Sequence, residues 1–490
     1  MNKAVVIGAG IAGIASSIRL AIKGYDVTVY EKNAYPGGKL SVFQMGNYRF
    51  DAGPSLFTMP HFVTELFELA GENPNDFFSY KKKEVHCEYF WEDGTRFTAY
   101  DNRQRFCDAV EKQLGVASAT IRAYLEQAEK KYNLTAPLFL ERSLHRVTTY
   151  LNKETLSAIR QMRQLEIFQN LHQVNRKHLK NPYLVQFFDR FATYNGSDPY
   201  QTSGIMSLVQ HLEEHYGTYI PQKGMGDITD SLVALGKRLG VEYVFNQPID
   251  QISIKDKKCQ GVRIGKDVIP ADIVVSNMDV VPTYRQLLPN QKAPNVYLKQ
   301  ERSSSALIFY WGIRKEFPQL DLHNIFFSND YKAEFDAIFK RHELSDDPTV
   351  YVNITSKEVT GDAPKGCENW FVMINAPADY GQDWDTIIST TRARVLQKLS
   401  TQLDCQLEDY IEEETYLSPP LIAQKTASYR GALYGSSSNH RMSAFLRHPN
   451  FSRTLPNVYF CGGSIHPGGG IPLCLLSAKI TADMIPDAHE

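Results

Sequence analysis

The chain has 490 residues, which is too long for one hydrophobic core and indicates two or three domains. Its composition is that of an ordinary globular protein, with 43% hydrophobic and 22% charged residues, and this excludes a disordered or fibrous chain. The 53 basic and 55 acidic residues give a formal net charge of -2, so no nucleic-acid partner is expected.

The cysteines and the apolar segments indicate the cellular location of the protein and its contact with membranes. The seven cysteines are scattered and show neither CxxC nor Cys/His ligand spacing, which predicts reduced thiols, a cytoplasmic location and no metal site. Glycines interrupt the apolar N-terminus, so we interpret it as a strand and turn instead of a cleaved signal. No stretch approaches the ~18 apolar residues of a spanning helix, and any membrane contact is therefore expected to be peripheral.

The N-terminal segment combines a strand, a glycine-rich turn and a helix. The apolar run from residue 3 to 7 predicts a buried parallel strand and leads into Gly8-Ala9-Gly10-Ile11-Ala12-Gly13, a GxGxxG motif. Residues 14–23 carry apolar side chains at helical spacing, and a second strand over 26–30 ends on Glu31. A lone GxGxxG is a weak signal, but these parts in this order within about 30 residues predict a dinucleotide site.

Each glycine of this motif has a physical role. Gly8 permits the tight turn, Gly10 lets the backbone approach a pyrophosphate, and Gly13 lets the helix and the strand pack closely. The free amides of Ile11, Ala12 and Gly13, together with the helix dipole, suit an anionic diphosphate. The motif thus predicts phosphate binding without a lysine.

The next segment distinguishes two dinucleotides. Glu31, at the tip of the second strand, is placed to accept hydrogen bonds from a ribose. The pair Gly37-Gly38 and Lys39 follow, which indicates another close backbone approach to the same ligand. This run resembles the GG motif of flavoprotein amine oxidases and related desaturases, where it follows the ribose-binding acid. The resemblance favours FAD over NAD.

The C-terminal segment carries a second signature. An apolar strand near 457–461 leads into His466-Pro467-Gly468-Gly469-Gly470-Ile471-Pro472 and then a helix. This stretch resembles the C-terminal signature of the bacterial-type carotenoid desaturases, the phytoene desaturase family. Residues 221–226, with the helix that follows them to residue 239, and residues 271–277 extend the resemblance over most of the chain. The segments 85–200 and 290–420 resemble the family only in the general character of their residues, without a shared motif.

The resemblance implies roles for individual residues. Glu31 would hold the adenosine ribose, Lys39 would lie near the phosphates or the flavin, and residues 53–56 would line the isoalloxazine. Ile249 would contact the adenine through its backbone. The amides of Gly463 and Ile471 would complete the ribityl and pyrimidine contacts. The predicted cofactor-binding residues are Gly8, Gly10, Ile11, Ala12, Gly13, Glu31, Lys32, Lys39, Gly53, Pro54, Ser55, Leu56, Ile249, Asn277, Gly463 and Ile471.

The chain departs from the family pattern at two positions, and no catalytic residue is assigned. Met225 separates Gly224 from Gly226 where the family has a glycine pair. Lysine stands at position 39 where arginine is frequent, which keeps the charge and loses the planar fork. His466 is more simply a residue that holds a turn by hydrogen bonding than a general base.

We predict an α/β fold of the flavin amine oxidase type, with a Rossmann-like FAD-binding domain interleaved with a mixed-sheet substrate domain and a helical membrane-facing region. Residues 305–313 and 349–355 are predicted strands of the substrate sheet. The predicted division is 1–85, 222–290 and 425–490 for the FAD-binding domain, 86–221 for the helical region, and 291–424 for the substrate domain.

The segment 136–171 leaves two interpretations open. It interleaves apolar and basic side chains, which suits a helix in a membrane interface and equally a solvated helix packed on its own domain. Glu141, Arg142 and His145 are predicted to share a helical face there. They either assist proton removal or charge stabilisation in a substrate tunnel or, more simply, are surface charges.

The resemblance implies a desaturase that transfers a hydride from a carotenoid to FAD. The sequence is most similar to the branch of 1-hydroxycarotenoid 3,4-desaturases, with phytoene as the alternative substrate. A flavin amine oxidase and a flavin-free prenyl-lipid binding protein are more distant alternatives. The expected location is cytoplasmic, attached peripherally to the inner face of the membrane, and the electron acceptor, oxygen or a quinone, is left open.

Overall fold

A computed structural model describes residues 2–139, 142–146, 149, 165–440 and 443–489. The strands are β1 Lys3–Ile7, β2 Asp26–Tyr30, β3 Val42–Met45, β4 Tyr48–Asp51, β5 Tyr80–Lys82, β6 Val85–Phe90, β7 Arg96–Tyr100, β8 Tyr219–Pro221, β9 Glu242–Val244, β10 Gln251–Lys255, β11 Lys258–Ile264, β12 Asp267–Pro270, β13 Ile273–Ser276, β14 Ser305–Ile313, β15 His323–Phe326, β16 Val350–Ile354, β17 Glu368–Ala376, β18 Ile411–Leu417 and β19 Val458–Phe460.

The longer helices are α1 Ile11–Ile22, α2 His61–Leu69, α3 Arg103–Leu114, α4 Ser118–Phe139, α5 Leu171–Leu179, α6 Pro182–Asp189, α7 Val209–Tyr216, α8 Gly226–Arg238, α9 Trp384–Leu403, α10 Pro419–Thr426 and α11 Ile471–Ala482. Short helices cover Val280–Pro282, Asn295–Leu298, Tyr331–Asp336 and Ser443–Leu446. Helical turns of 3-10 or π type cover Pro74–Asp76, Arg190–Asn195, Gly204–Leu208, Thr283–Leu287, Ala337–Arg341, Thr355–Lys357, Leu407–Tyr410 and Tyr429–Gly431.

The first sheet is parallel, with the strand order β19–β13–β1–β2–β9. β1 lies at its centre and is paired on both sides, Val6 with Val29 of β2 and with Val275 of β13. A parallel strand that is covered on both faces needs apolar side chains throughout, which explains the continuous apolar run of β1. The predicted strands over 3–7 and 26–30 are confirmed.

The second sheet is mixed and has seven strands in the order β18–β14–β17–β16–β15–β6–β7. The predicted strands near 305–313 and 349–355 are β14 and β16. Side chains such as Trp311 and Trp370 of β14 and β17 are fully buried in the core between this sheet and α9. Smaller sheets are formed by β10–β11–β12, β3–β4 and β5–β8.

Three strands, β6, β7 and β8, lie wholly or mostly in the region 86–221, for which the sequence predicts helices. β6 and β7 precede the first helix of that region, and β6 joins the second sheet by pairing with β15, Tyr89 opposite Ile325. This pairing joins segments far apart in sequence, so no local pattern indicates it. The described part of the region after residue 103 is mainly helical and packs on the β6–β7 hairpin through an apolar cluster.

Residues 140, 141, 147, 148 and 150–164 of the segment 136–171, Glu141 among them, lie outside the described residues. Arg142 and His145 are described and lie in a bend and a turn, so the prediction that they share a helical face is wrong. Within the described parts of the chain, no helix is both long and apolar enough to cross a membrane.

The separated glycines of residues 224–226 have a structural explanation. Asp51 accepts hydrogen bonds from the backbone amides of Met225, at 2.9 Å, and Gly226, at 3.0 Å, at the start of α8. A Cβ on Gly224, whose φ is 83°, would lie 2.4 Å from the Arg49 guanidinium, and one on Gly226 would lie 2.2 Å from Val42. Each glycine thus makes its own close contact, and the turn joins the β3–β4 hairpin to α8.

Candidate cofactor and substrate site

One cavity of about 1840 Å³ extends from the carboxyl ends of β1 and β13 to the inner side of the second sheet. It is lined by residues that directly follow the strands, such as Gly8 and Asn277, and by side chains of the sheet, such as Phe371. Ligands of open α/β sheets bind at this end of the strands. All the predicted cofactor-binding residues except Gly13 line this cavity.

The first glycine-rich turn packs against Asn277. Gly8 has a φ of 96°, and a Cβ on Gly10 would lie 2.6 Å from Asn277 Oδ1. A Cβ on Gly13 would lie 2.1 Å from the carbonyl oxygen of Gly8, so Gly13 serves the packing of helix on strand instead of forming the cavity wall. α1 begins at Ile11 with neither a side-chain cap nor an acidic residue in its first turn. This N-terminus is therefore suited to an anion.

Glu31 is buried at the end of β2 and is held by two backbone amides. Its Oε2 accepts a hydrogen bond from the amide of Ala9 at 2.8 Å, and its Oε1 accepts one from Asn33 at 2.9 Å. These bonds fix the carboxylate beside the glycine-rich turn. Lys32 turns its amine to the carbonyl oxygen of Gln424, 2.6 Å away, and Ile249 lines the same cavity.

The glycine pair packs directly on the first turn. The amide of Gly37 donates to the carbonyl oxygen of Ala9 at 2.7 Å, and a Cβ on Gly53 would lie 2.2 Å from the carbonyl oxygen of Lys39. Lys39 donates from Nζ to the carbonyl oxygen of Leu433 at 2.7 Å, and burial lowers the pKa of this amine. The segment 53–56 is thereby held against the cavity.

The C-terminal signature supplies a second helix start on the same cavity. The side-chain amide of Asn277 donates to the carbonyl oxygen of Cys461 at 3.2 Å, and a Cβ on Gly462 would lie 2.6 Å from Asn277 Nδ2. α11 follows Gly470 and, like α1, has neither a side-chain cap nor an acidic residue in its first turn. Gly463 and Ile471, both predicted cofactor contacts, line the cavity here.

Arg447 is a cation that the sequence did not indicate. It is buried, it lines the cavity, and it donates from Nη1 to the carbonyl oxygens of Tyr434 at 2.9 Å and Gly463 at 3.1 Å. Burial lowers the pKa of this guanidinium to about 10, assisted by the positive charge of Arg302. No carboxylate among the described residues lies within ion-pair distance of it. A buried cation in this position can stabilise negative charge on a bound cofactor.

His466 contacts backbone in a way that favours a structural role. Its Nε2 donates to the carbonyl oxygen of Arg142 at 2.8 Å, and its own carbonyl oxygen accepts from Asn450 and Ser477. Burial lowers the pKa of His466 to about 4, so the ring is neutral at physiological pH. The hydrogen-bonding role predicted for this residue agrees with these contacts.

These features fit a dinucleotide, because the glycine turns leave room that a Cβ would fill and two uncapped helix N-termini face the cavity. Residues 11–486 match the sequence model of the flavin-containing amine oxidoreductase family. The chain belongs to this family. The prediction of FAD as the cofactor is thereby confirmed.

Individual relatives narrow the position within the family. The chain is 54% identical over 489 residues to the 1-hydroxycarotenoid 3,4-desaturase of Flavobacterium sp. (strain P99-3), and the match covers 100% of both chains. It is 33% identical to the 4,4'-diapolycopene oxygenase of Methylomonas sp, over 99% of this chain and 98% of the relative. The predicted resemblance to the carotenoid desaturases, in the hydroxycarotenoid branch, is confirmed.

The solved structure of wild-type putrescine oxidase bound to putrescine is similar in fold. It superposes with a TM-score of 0.64 at 12% identity and covers 98% of each chain. This likeness confirms the predicted amine oxidase-type fold. The five-part domain division and the roles of single cofactor-binding residues stay predictions.

We expect Gly10→Val to lower the flavin content of the purified protein at least about tenfold, because its side chain would occupy the space beside Asn277 Oδ1 that the backbone needs to approach the cofactor. The measurement is the ratio of flavin absorbance to protein absorbance. Ala117→Val adds the same side chain at an exposed position and serves as the control. Equal flavin contents in the two variants would contradict the assignment of this turn.

The buried histidines predict a pH dependence of stability. Burial lowers the pKa of His323 and His466 to about 4 and that of His448 to about 3, whereas an unfolded histidine has a pKa of about 6.5. Between these values the unfolded state binds more protons, so the free energy of unfolding falls as the pH is lowered from about 6.5 to about 4. Above about pH 6.5 these groups contribute no slope.

The check is the melting temperature of the FAD-loaded protein across this pH range, compared with that of a His466→Gln variant. The variant should show a shallower decline because one of the three groups is removed. Parallel curves for the two proteins would show that His466 is not neutral in the folded state.

Proposed function

We propose that this chain is an FAD-dependent carotenoid desaturase that introduces the 3,4 double bond into a 1-hydroxylated acyclic or monocyclic carotenoid. The observation that carries the proposal is the 54% identity over the full length to a 1-hydroxycarotenoid 3,4-desaturase, joined to a cavity that continues from the cofactor turns along the second sheet. When bound, FAD supplies the hydride acceptor, so that adjacent carbons of the substrate lose one hydrogen as hydride and the other as a proton.

The side chains of the cavity can hold and orient a long hydrocarbon. Apolar and aromatic side chains of β14 and β17, among them Ile308, Phe371 and Met373, form the floor, and Ile205 and Leu208 also line the cavity. Such walls exclude water and restrict the chain to a few orientations. Placing one carbon within about 3.5 Å of the reacting atom is itself a large part of catalysis in a reaction of this kind.

Two hydrogen bonds connect the cofactor-lining segment to this floor. Tyr310 of β14 donates from its hydroxyl to the carbonyl oxygen of Ala52 at 2.5 Å, and the hydroxyls of Ser55 and Tyr351 are 2.8 Å apart. The segment 53–56 is therefore fixed relative to the sheet that would carry the substrate. In the proposed enzyme, these strands and not a loop alone would set the distance between cofactor and substrate.

The test is expression in a host that makes defined carotenoids, followed by chromatography and mass spectrometry of the pigments. The expected product of a 1-hydroxylated carotenoid is lighter by two hydrogen atoms and absorbs at longer wavelength, and the Gly10→Val variant should form none. If phytoene is converted and the hydroxylated carotenoid is not, the proposed substrate is wrong and phytoene is the substrate. An oxygenated product would show that the enzyme is an oxygenase and not a desaturase. Reduction of the flavin by an amine, and not by any carotenoid, would show that it is an amine oxidase.

We further propose that the enzyme works in the cytoplasm, attached peripherally to the inner face of the membrane, where its hydrocarbon substrate is dissolved. Phe168 supports this location, because it lines the cavity and yet is 67% exposed. An apolar side chain at the rim of such a cavity suits a membrane interface. Oxygen or a membrane quinone is the proposed electron acceptor.

Flotation with liposomes tests the membrane proposal. Phe168→Ser should reduce the bound fraction severalfold, because an apolar contact with the acyl chains is removed. Val296→Ser, which changes another apolar residue that is 63% exposed but does not line the cavity, is the control. Equal flotation of the two variants, or recovery of all the wild-type protein in the soluble fraction, would contradict the proposal.

A further inference from the structure

Some side chains that line the cavity are polar or charged. Among them are Arg190, Tyr194, Glu213 and His323, and we name this group the polar pocket. Arg190 is 7%, Glu213 5% and His323 3% exposed, so the charged groups and the imidazole are shielded from solvent. Desaturation of a hydrocarbon does not by itself require buried charges in the substrate cavity.

Arg190 has hydrogen atoms that no described residue accepts. Its Nη1 donates to the hydroxyl of Tyr194 at 3.0 Å, whereas Nε and Nη2 have no hydrogen-bond partner among the described residues. The nearest carboxylate oxygen, on Glu213, is 3.7 Å from Nη2 and accepts instead from Tyr194. Aromatic rings surround the guanidinium, with the ring centre of Phe191 at 4.5 Å and that of Tyr89 at 5.3 Å. Arginine only donates, so a group that binds here must accept.

His323, another residue of the cavity lining, carries a second donor without an acceptor in the described part of the chain. Its Nδ1 lies 2.7 Å from the Tyr351 hydroxyl and 3.2 Å from the side-chain amide nitrogen of Asn353. The amide nitrogen can only donate, so Nδ1 is the acceptor and the hydrogen of this neutral ring is on Nε2. Nε2 has no partner among the described residues.

The charges of the polar pocket define the ligand. A carboxylate or phosphate is disfavoured because Glu213 already balances Arg190, and His86 Nδ1 is 3.6 Å from the other oxygen of Glu213. A neutral oxygen that accepts from Arg190 or His323 is suitable. An alcohol can in addition donate to the Glu213 carboxylate, which a ketone or a methyl ether cannot do. The pocket is therefore suited to a free hydroxyl group.

The distance between the polar pocket and the segment predicted to line the flavin also suits a 1-hydroxylated carotenoid. In a 1-hydroxylated carotenoid, the hydroxyl oxygen is four bonds from carbon 4, a span of about 5 Å in an extended chain. Ser55, in the segment predicted to line the isoalloxazine, is linked to His323 by two hydrogen bonds through Tyr351, of 2.8 and 2.7 Å. The polar pocket thus begins within the reach of a hydroxyl group whose neighbouring carbons meet the flavin.

We propose that the polar pocket binds the hydroxyl group on carbon 1 of the carotenoid, with Arg190 and His323 donating to its oxygen and Glu213 accepting its hydrogen. The inference rests on the function proposed above. It assigns to these residues the selection of hydroxylated over unhydroxylated chains, and the choice of the 3,4 bond as the bond held at the flavin. They are positioning and specificity residues, and the hydride acceptor remains the cofactor.

The experiment is a competition on the FAD-loaded protein, supplied in liposomes with equal amounts of a 1-hydroxylated carotenoid and the same carotenoid without the hydroxyl. A site built to bind a hydroxyl rejects an analogue that lacks it, because the buried donors are left unpaired. Wild type should prefer the hydroxylated chain roughly a hundredfold, and Arg190→Met and His323→Phe should each lower this preference at least about tenfold. The wild type should also discriminate against the 1-methoxy analogue.

Arg103→Met is the matched control, because Arg103 also binds a glutamate of α7, Glu214, but lies outside the cavity. It should keep the preference of the wild type. Flavin absorbance and melting temperature identify a variant that has not folded, and the methoxy analogue tests the wild type without any substitution. Unchanged preference in both folded variants would overturn the inference, whereas failure of the wild type to desaturate the hydroxylated chain would overturn the proposed function.

Discussion

The cofactor site depends on the close packing of two glycine turns, at residues 8–13 and at Gly462, around the side chain of Asn277. The Oδ1 atom of Asn277 leaves no room for a Cβ on Gly10, and its Nδ2 atom leaves none for a Cβ on Gly462. The backbone amide of Asn277 donates to the carbonyl oxygen of Ile7. The carboxyl ends of β1, β13 and β19 are thereby held side by side. Because α1 and α11 start from two of these ends, both helix N-termini meet the same cavity, and the substrate floor is oriented relative to them.

The parts of this site that depend on local sequence could be predicted. The strand, turn, helix and strand of residues 3–30 follow from short-range patterns, since each element there is specified by its own residues. The glycine pair and the C-terminal signature were recognised by resemblance, and the structure places both beside the first turn. Their backbone contacts require glycine, so the requirement is visible in the sequence.

Other parts depend on contacts that no local pattern reports. β6 pairs locally with β7, but the hairpin becomes part of the second sheet only because β15, more than two hundred residues later, pairs with β6. The polar pocket brings together Arg190, Glu213 and His323 from three separate segments, and each of them alone would be interpreted as a surface residue. Arg447 lies in a stretch without any motif, and only the fold shows that it is buried, lines the cavity and donates to the carbonyl oxygen of Gly463. Convergence of distant residues is a property of the fold.

The interleaving of the first sheet has a consequence for the biosynthesis of the chain. β1 and β2 are synthesised more than four hundred residues before β19 and α11, which form one edge of the sheet and one wall of the cofactor cavity. The glycine turn after β1 therefore cannot complete its binding surface until β19 and α11 have been synthesised. Domains commonly fold as units during synthesis. Here the nascent chain has to keep β1 and β2 soluble until then, and a product that is truncated before β19 should lack the cofactor.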